Sequence, residues 1–240
     1  MNRQAVNPYL PSWEYIPDGE PHVFNGRVYV YGSHDRFNAP IFCVNDYVCW
    51  SAPVEDLSEW RYEGVIYRKK QDPKNPLGYH LLFAPDVCQG PDGRYYLYYA
   101  FDFLGIMSVA VCDTPAGEYK FLGHIHYADG TLWGRRRGDQ LPFDPGVLLD
   151  DDGRVWLYSG FYNAVPAILT GGHKLRCDGG TVLELEKDMV TIKTEPRVIF
   201  PKKGPGAFQG HEFFEASSIR KEGKTYIFVY SSRHNHELCY

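Results

Sequence analysis

Residues 143–160 read FDPGVLLDDDGRVWLYSG. An acid, Asp144, precedes a short apolar run. A turn carrying Gly153 follows, then a basic residue, then an alternating, aromatic-rich strand. The same order occurs three more times. Asp18 leads into Asn25-Gly26-Arg27-Val28-Tyr29, Asp86 into Asp92-Gly93-Arg94-Tyr95-Tyr96, and Glu215 into Glu222-Gly223-Lys224-Thr225-Tyr226. The acid lies 8, 7, 9 and 8 residues before its glycine, and successive glycines are 67, 60 and 70 residues apart. A unit repeated at such a period is the signature of a repeat architecture. Each glycine falls where a hairpin needs positive φ. Each following strand carries the residues that suit a pleated, half-buried surface. If the units are propeller blades, the four acids ring one axis. A single acid beside a turn reads as a solvated residue, but four in phase do not.

Composition narrows the class. The chain has 240 residues, 44 % of them hydrophobic, 16 % aromatic, with 19 tyrosines and a net charge of −5. That suffices for one large all-β domain with its own core. The negative charge argues against a nucleic-acid partner, and Arg135-Arg136-Arg137 is the one dense basic run. No apolar stretch reaches the length of a membrane span. The N-terminal residues lack the apolar core of a signal peptide, so the expected location is the cytoplasm. The six cysteines, Cys43, Cys49, Cys88, Cys112, Cys177 and Cys239, show no metal spacing and read as reduced and buried.

Along the chain, Trp13 lies five residues before Asp18 and reads either as a core plug or as a ring that stacks on a sugar. The first repeat predicts strands at 22–24, 27–31 and 41–50, and the second a strand at 107–112. The fourth predicts strands at 215–220 and 225–231, with a third starting at 238–240. Long loops at 66–82 and 127–142 are candidates for function. His124 and His126 fall on one face if that segment is extended, which is weak metal evidence and fits a solvated face better. Asp150-Asp151-Asp152 resembles a calcium loop, although a hairpin turn explains it more simply, and a structural calcium ion is an open expectation.

Four motifs in this order, YIPDGEPHVFNGRVYVYGSHD, FAPDV, FDPGVLLDDDGRVWLYSG and HEFFEASSIRK, resemble glycoside hydrolase family 43, from residue 7 onward. The resemblance implies a five-bladed β-propeller with β-xylosidase, α-L-arabinofuranosidase or arabinanase activity and an inverting mechanism. It implies Asp18 as general base, Asp144 as the acid that orients its neighbour and tunes its pKa, and Glu215 as general acid. Asp18 is followed by Gly19 where the family often has Pro, which makes Glu20 a rival. Phe83 matches a pocket aromatic, and His34 with Asp35, at the end of the second strand, reads either as rimming the pocket or as a solvated turn. Asp86 has no proton-transfer role in the resemblance and reads as sugar-binding or structural. No cofactor is implied.

Inverting hydrolysis needs a protonated carboxyl at the leaving oxygen and a carboxylate on the opposite face, about 6.5–9.5 Å away, to activate water. Burial beside Phe213 and Phe214, with repulsion from Asp144, is expected to raise Glu215, while Asp18 is expected in a more polar setting. The expected activity is exo-hydrolysis of terminal xylosyl or arabinofuranosyl residues of short oligosaccharides. A non-catalytic carbohydrate-binding propeller and a five-bladed glycoside phosphorylase are the alternatives. The chain ends two strands into the fourth repeat, so the expected shape is a propeller of about four blades, open where a fifth would stand.

Overall fold

A computed structural model describes residues 7–240. They form fifteen strands in four antiparallel sheets, with no α-helix among the described residues and one 3-10 turn at Lys69–Gln71. The first sheet is β1 (Glu20–Phe24), β2 (Arg27–Tyr31), β3 (Tyr47–Pro53) and β4 (Arg61–Tyr67). The second is β5 (Asp86–Gln89), β6 (Tyr95–Ala100), β7 (Met107–Cys112) and β8 (Lys120–His124). The third is β9 (Gly146–Leu149), β10 (Val155–Phe161), β11 (Gly179–Leu185) and β12 (Arg197–Pro201). The last is β13 (Phe213–Glu222), β14 (Thr225–Ser232) and the two-residue β15 (Leu238–Cys239). Each sheet is an up-and-down blade, and the sequence repeat is the hairpin that opens it.

The turn glycines sit at φ +75° (Gly26), +82° (Gly93), +80° (Gly153) and +59° (Gly223), as the hairpin reading requires. The acidic run is such a turn. Asp152 accepts the Arg154 amide at 3.1 Å, and Asp150 accepts the Tyr226 hydroxyl at 2.6 Å and the Lys221 ammonium. One strand was expected too early. Residues 41–46 lie outside β3, with Asn38 and Cys43 in left-handed backbone and Asp35 Oδ1 accepting the Cys43 amide at 2.5 Å. Local polar contacts hold that segment as a loop.

Blades pack face to face. Tyr31, Tyr47, Leu97, Tyr99 and Ala110 bury one seam, between the first and second blades. Tyr98, Val109, Val147, Leu157 and Leu183 bury the next. At the third seam Phe200 and Phe228 stack at 4.6 Å between ring centres. Each fully buried side chain of this size contributes roughly 1.5–3 kcal/mol, more than a lone hairpin gains by itself. The inner strands β1, β5, β9 and β13 run along the axis, where β5 packs on β1 and β9, and β9 on β13. Glu20 of β1 accepts the Ser218 hydroxyl of β13 at 2.8 Å, joining the first and fourth blades there.

Candidate active site

A cavity of about 300 Å³ opens at one end of the axis, and Asp18, Asp144 and Glu215 all line it. Each carboxylate comes from a different blade, which is how residues far apart in sequence share one wall. The backbone at each is unusual. Asp18 has φ +55° and Asp144 +46°, while Ala216, next to Glu215, has +62°. Left-handed backbone is costly for residues with a Cβ and clusters at functional sites. At Asp144 it turns the chain into β9 between Phe143 and Pro145. Phe143 is anchored by Ser159, whose Oγ accepts its amide at 2.8 Å and donates to its carbonyl at 2.6 Å. At Glu215 the pairing of β13 with β14 shifts on both sides, a bulge that re-aims the side chain.

Gly146 explains how the third and fourth blades come so close. A Cβ there would lie 2.6 Å from the Ser217 carbonyl oxygen. The glycine of the FDPG motif therefore lets β9 approach β13, which brings Asp144 and Glu215 together. The Ala216 amide donates to Asp144 Oδ2 at 3.1 Å across that seam.

All three carboxyls are pushed above the ordinary range. Asp144, buried and repelled by Glu215 and Asp18, is raised well above it. Glu215 is raised to about 7, first by burial and then by Asp18. The expected repulsion between Asp144 and Glu215 is present, but it acts on Asp144. Asp18 is raised by burial, against a bond from Ser33 Oγ at 3.0 Å, with Asp35 adding repulsion. Its setting is thus less polar than expected, yet it has the smallest rise of the three. Burial and mutual repulsion thus favour the protonated form at all three, and Glu215 is brought close to neutral pH.

Five phenylalanines complete the wall: Phe42, Phe83, Phe103, Phe143 and Phe161. Phe103 and Phe143 lie parallel at 5.5 Å between ring centres, and Phe83 meets both edge-on at 5.8 Å. Tyr47 donates its hydroxyl to the Phe83 carbonyl and fixes that ring from behind. Phe83 lies where expected, and Asp35 also lines the cavity. Phe103 and Phe161 were missed. A signal existed, because Phe161 ends the second strand of its repeat and Phe103 lies just beyond its own, close to the phase at which Asp35 follows β2.

Three expected substrate contacts lie elsewhere. Asp86 is fully buried and spends its carboxylate on His22 Nε2 (2.5 Å) and the amides of Val87 (2.7 Å) and Val147 (2.6 Å). His34 is held between the Asp46 carbonyl and Glu14, each at 3.0 Å. Trp13 is 66 % exposed and leans on Trp50, beside His34 and Asp35 in a neighbouring cleft of about 370 Å³, so it is neither a core plug nor part of the acid cavity's wall. The rival base Glu20 faces Ser218 and Arg220 instead of the cavity.

Among the described residues two groups have metal-ligand chemistry, Glu20 with His22 and Asp86, and His211 with Glu237 and Cys239. His124 Nδ1 pairs with Ser108 and His126 Nδ1 with the Tyr127 carbonyl, so these two rings do not converge on one site. A larger cleft of about 680 Å³, between Phe200, Phe228 and Tyr230, carries one carboxylate, Glu237, which is paired with His211. Of these two, the smaller cavity is the one that gathers acids from several blades.

The sequence profile of glycosyl hydrolases family 43 matches residues 17–237. The chain is 61 % identical over its whole length to a xylosidase/arabinosidase of Thermoclostridium stercorarium, and spans 50 % of that protein. It is 30 % identical to a xylosidase/arabinosidase of Bacteroides ovatus, over 97 % of this chain and 75 % of that one. A β-xylosidase/α-arabinofuranosidase from a compost microbial metagenome, solved with xylotriose in a calcium-free form, superposes with a TM-score of 0.72. It shares 26 % identity over 98 % of this chain and 75 % of its own.

Proposed function

The chain belongs to glycosyl hydrolase family 43, and from that premise we propose that its cavity removes terminal xylosyl or arabinofuranosyl residues from short oligosaccharides, with inversion. The observation that carries this reading is the meeting of Asp18, Asp144 and Glu215 in one cavity, with Glu215 raised to about 7. A general acid works best when its pKa lies near the working pH. Glu215 gives its proton to the leaving oxygen. Asp18, the least raised of the three, takes a proton from water on the opposite face of the sugar. Asp144 accepts the Ala216 amide and fixes the backbone beside Glu215. Proton transfer between carboxylates and water needs no cofactor.

The size of the cavity supports exo action. About 300 Å³ is at the low end for ligand sites, room for a terminal sugar and not for a threaded polymer. The phenylalanines offer apolar faces for the ring, and Asp35 an acceptor for its hydroxyls. Aryl β-xylosides and aryl α-L-arabinofuranosides, with proton NMR of the first-formed anomer, provide the test. Turnover with inverted product and no internal cleavage of arabinan is expected. A retained anomer, or cleavage at internal bonds, would overturn the reading.

A further inference from the structure

Below the cavity a second set of charged side chains fills the axis. Asp86 accepts three bonds, from His22 Nε2 and from the amides of Val87 and Val147. Glu20 accepts the Ser218 hydroxyl at 2.8 Å and the Arg220 guanidinium, which also donates to the Pro21 carbonyl at 2.6 Å. The contacts cross from β1 to β5, from β5 to β9, and from β1 to β13. We propose that Asp86 and Glu20 are positioning residues that set the three cavity acids against one another through the amide of Val147 and the hydroxyl of Ser218.

The spacing carries the argument. Val147 lies three residues after Asp144, Ser218 three after Glu215, and Glu20 two after Asp18. Each cavity acid therefore stands within about 10 Å of chain of one anchored group. The fourth repeat acid is the hub of the set. With His22 and two amides on its oxygens, the Asp86 carboxylate has no exposed surface for a sugar. A carboxylate with three donors holds its partners to a narrow range of geometry. Proton transfer is sensitive to such placement, since a shift of about 1 Å can cost on the order of a hundredfold in rate.

A purely structural role would look different. Burial first, and then the charge of Asp86, raises its neighbour Glu20. The shifts at Asp18, Asp144 and Glu215 instead arise from burial, from one another and from Asp35. Asp86 is not among the causes of those shifts, so a change in the titration of Glu215 on replacing Asp86 points to its position relative to Asp18 and Asp144.

The inference rests on the catalytic reading for its kinetic arm only. Asp86→Asn turns one acceptor into a donor at the same size. It is compared in the 240-residue chain with the wild type, with Ser218→Ala, and with Asp72→Asn. Asp72 is another buried carboxylate, bonded to Tyr99 away from the cavity. The readouts are kcat and KM on an aryl pentoside, the carbon-13 titration of the Glu215 carboxyl, and Tm. For Asp86→Asn, kcat is expected to fall on the order of ten- to a hundredfold with KM nearly unchanged. The Glu215 midpoint should move down from about 7. Ser218→Ala should move both in the same direction by less, and it decides the matter if the Asn variant does not fold. Asp72→Asn should lower Tm and leave both readouts in place. A lower Tm for Asp86→Asn with kcat and midpoint unchanged would overturn the proposal, as would a rise in KM alone. If the wild type shows no turnover, the hydrolase reading falls, and the titration alone decides the positioning role.

Discussion

Asp144 and Asp86 begin matching repeats, stand next to a Phe-x-Pro or Ala-Pro step, and face the same axis, yet they have opposite fates. Asp86 lies in regular β5, and every contact of its carboxylate is internal. Asp144 sits just ahead of β9 in left-handed backbone and keeps one modest bond, from the Ala216 amide. Asp18 and Glu215 follow the second pattern, one at positive φ and the other beside it. Phase in the repeat brings a side chain to the axis. The local backbone then decides whether it joins a neighbouring blade or opens to the cavity. The difference also separates two uses of a carboxylate, since a fully satisfied one holds strands and one open to the cavity is free to give or take a proton.

The largest effect should come from breaking the cavity side of this contrast. Glu215→Ala is expected to lose on the order of a hundred- to ten-thousandfold in kcat/KM on a glycoside with a poor leaving group. The loss should be far smaller on an activated aryl glycoside, whose leaving group needs no proton. Asp18→Ala should lose activity on both substrates by a comparable factor, because water is then unactivated whatever leaves. Azide should restore part of the Asp18→Ala rate with an inverted product. Equal losses for Glu215→Ala on the two substrates would remove it as the acid, and would make the cavity acids resemble the axial ones.

A smaller effect concerns stability and pH. Glu215 is raised to about 7 from an ordinary value of 4.5. The folded state therefore holds its proton more tightly than the unfolded chain does. That contribution is complete below pH 4.5 and is lost as pH rises through about 7. Glu215→Gln keeps the position neutral. Its Tm should match the wild type at pH 4.5 and exceed it by a few degrees at pH 8, read by calorimetry at both pH values. In the wild type, activity should fall above pH 7 as the acid ionises, and again at low pH as Asp18 takes a proton. A Tm difference that is the same at both pH values would show that Glu215 is not held in its protonated form.

Much of this was legible in the sequence, and what was not has physical causes. The repeat glycines fixed the hairpins because a turn demands a particular φ. Met107–Cys112 was found with its observed limits because an alternating strand between turns has one reading. The four in-phase acids pointed to the axis, and the resemblance singled out the three that share a cavity. The functions of Asp86, His34 and Trp13 were not legible. Each depends on a partner distant in sequence: Val147 for Asp86, Glu14 for His34, Trp50 for Trp13. Periodicity gives a side chain its radius and height in the propeller but does not give its partner. The Gly146 contact with Ser217 was hidden for the same reason.

The smallest expected effect tests whether left-handed backbone marks the cavity side. Ala216 is held at φ +62°, between Glu215 and buried Ser217. An alanine there carries roughly 1–2 kcal/mol of strain that glycine would not. Glycine also has a more flexible unfolded state, which removes about 0.4–1 kcal/mol of that gain. Ala216→Gly should therefore be neutral or stabilising by up to about 1.6 kcal/mol, a rise in Tm of at most about 6 °C for a chain of this size. Its amide still donates to Asp144, so kcat should change little. Ala100 provides the contrast, because it is buried in β6 and has no positive φ. There the same substitution loses a packed methyl, about 0.8 kcal/mol, and adds the roughly 0.5–1 kcal/mol cost of glycine inside a strand. Paired melting curves should show Ala216→Gly at or above the wild type and Ala100→Gly several degrees below it. If both variants fall together, the backbone at Ala216 is relaxed, and the bulge at Glu215 alone must turn that acid toward the cavity.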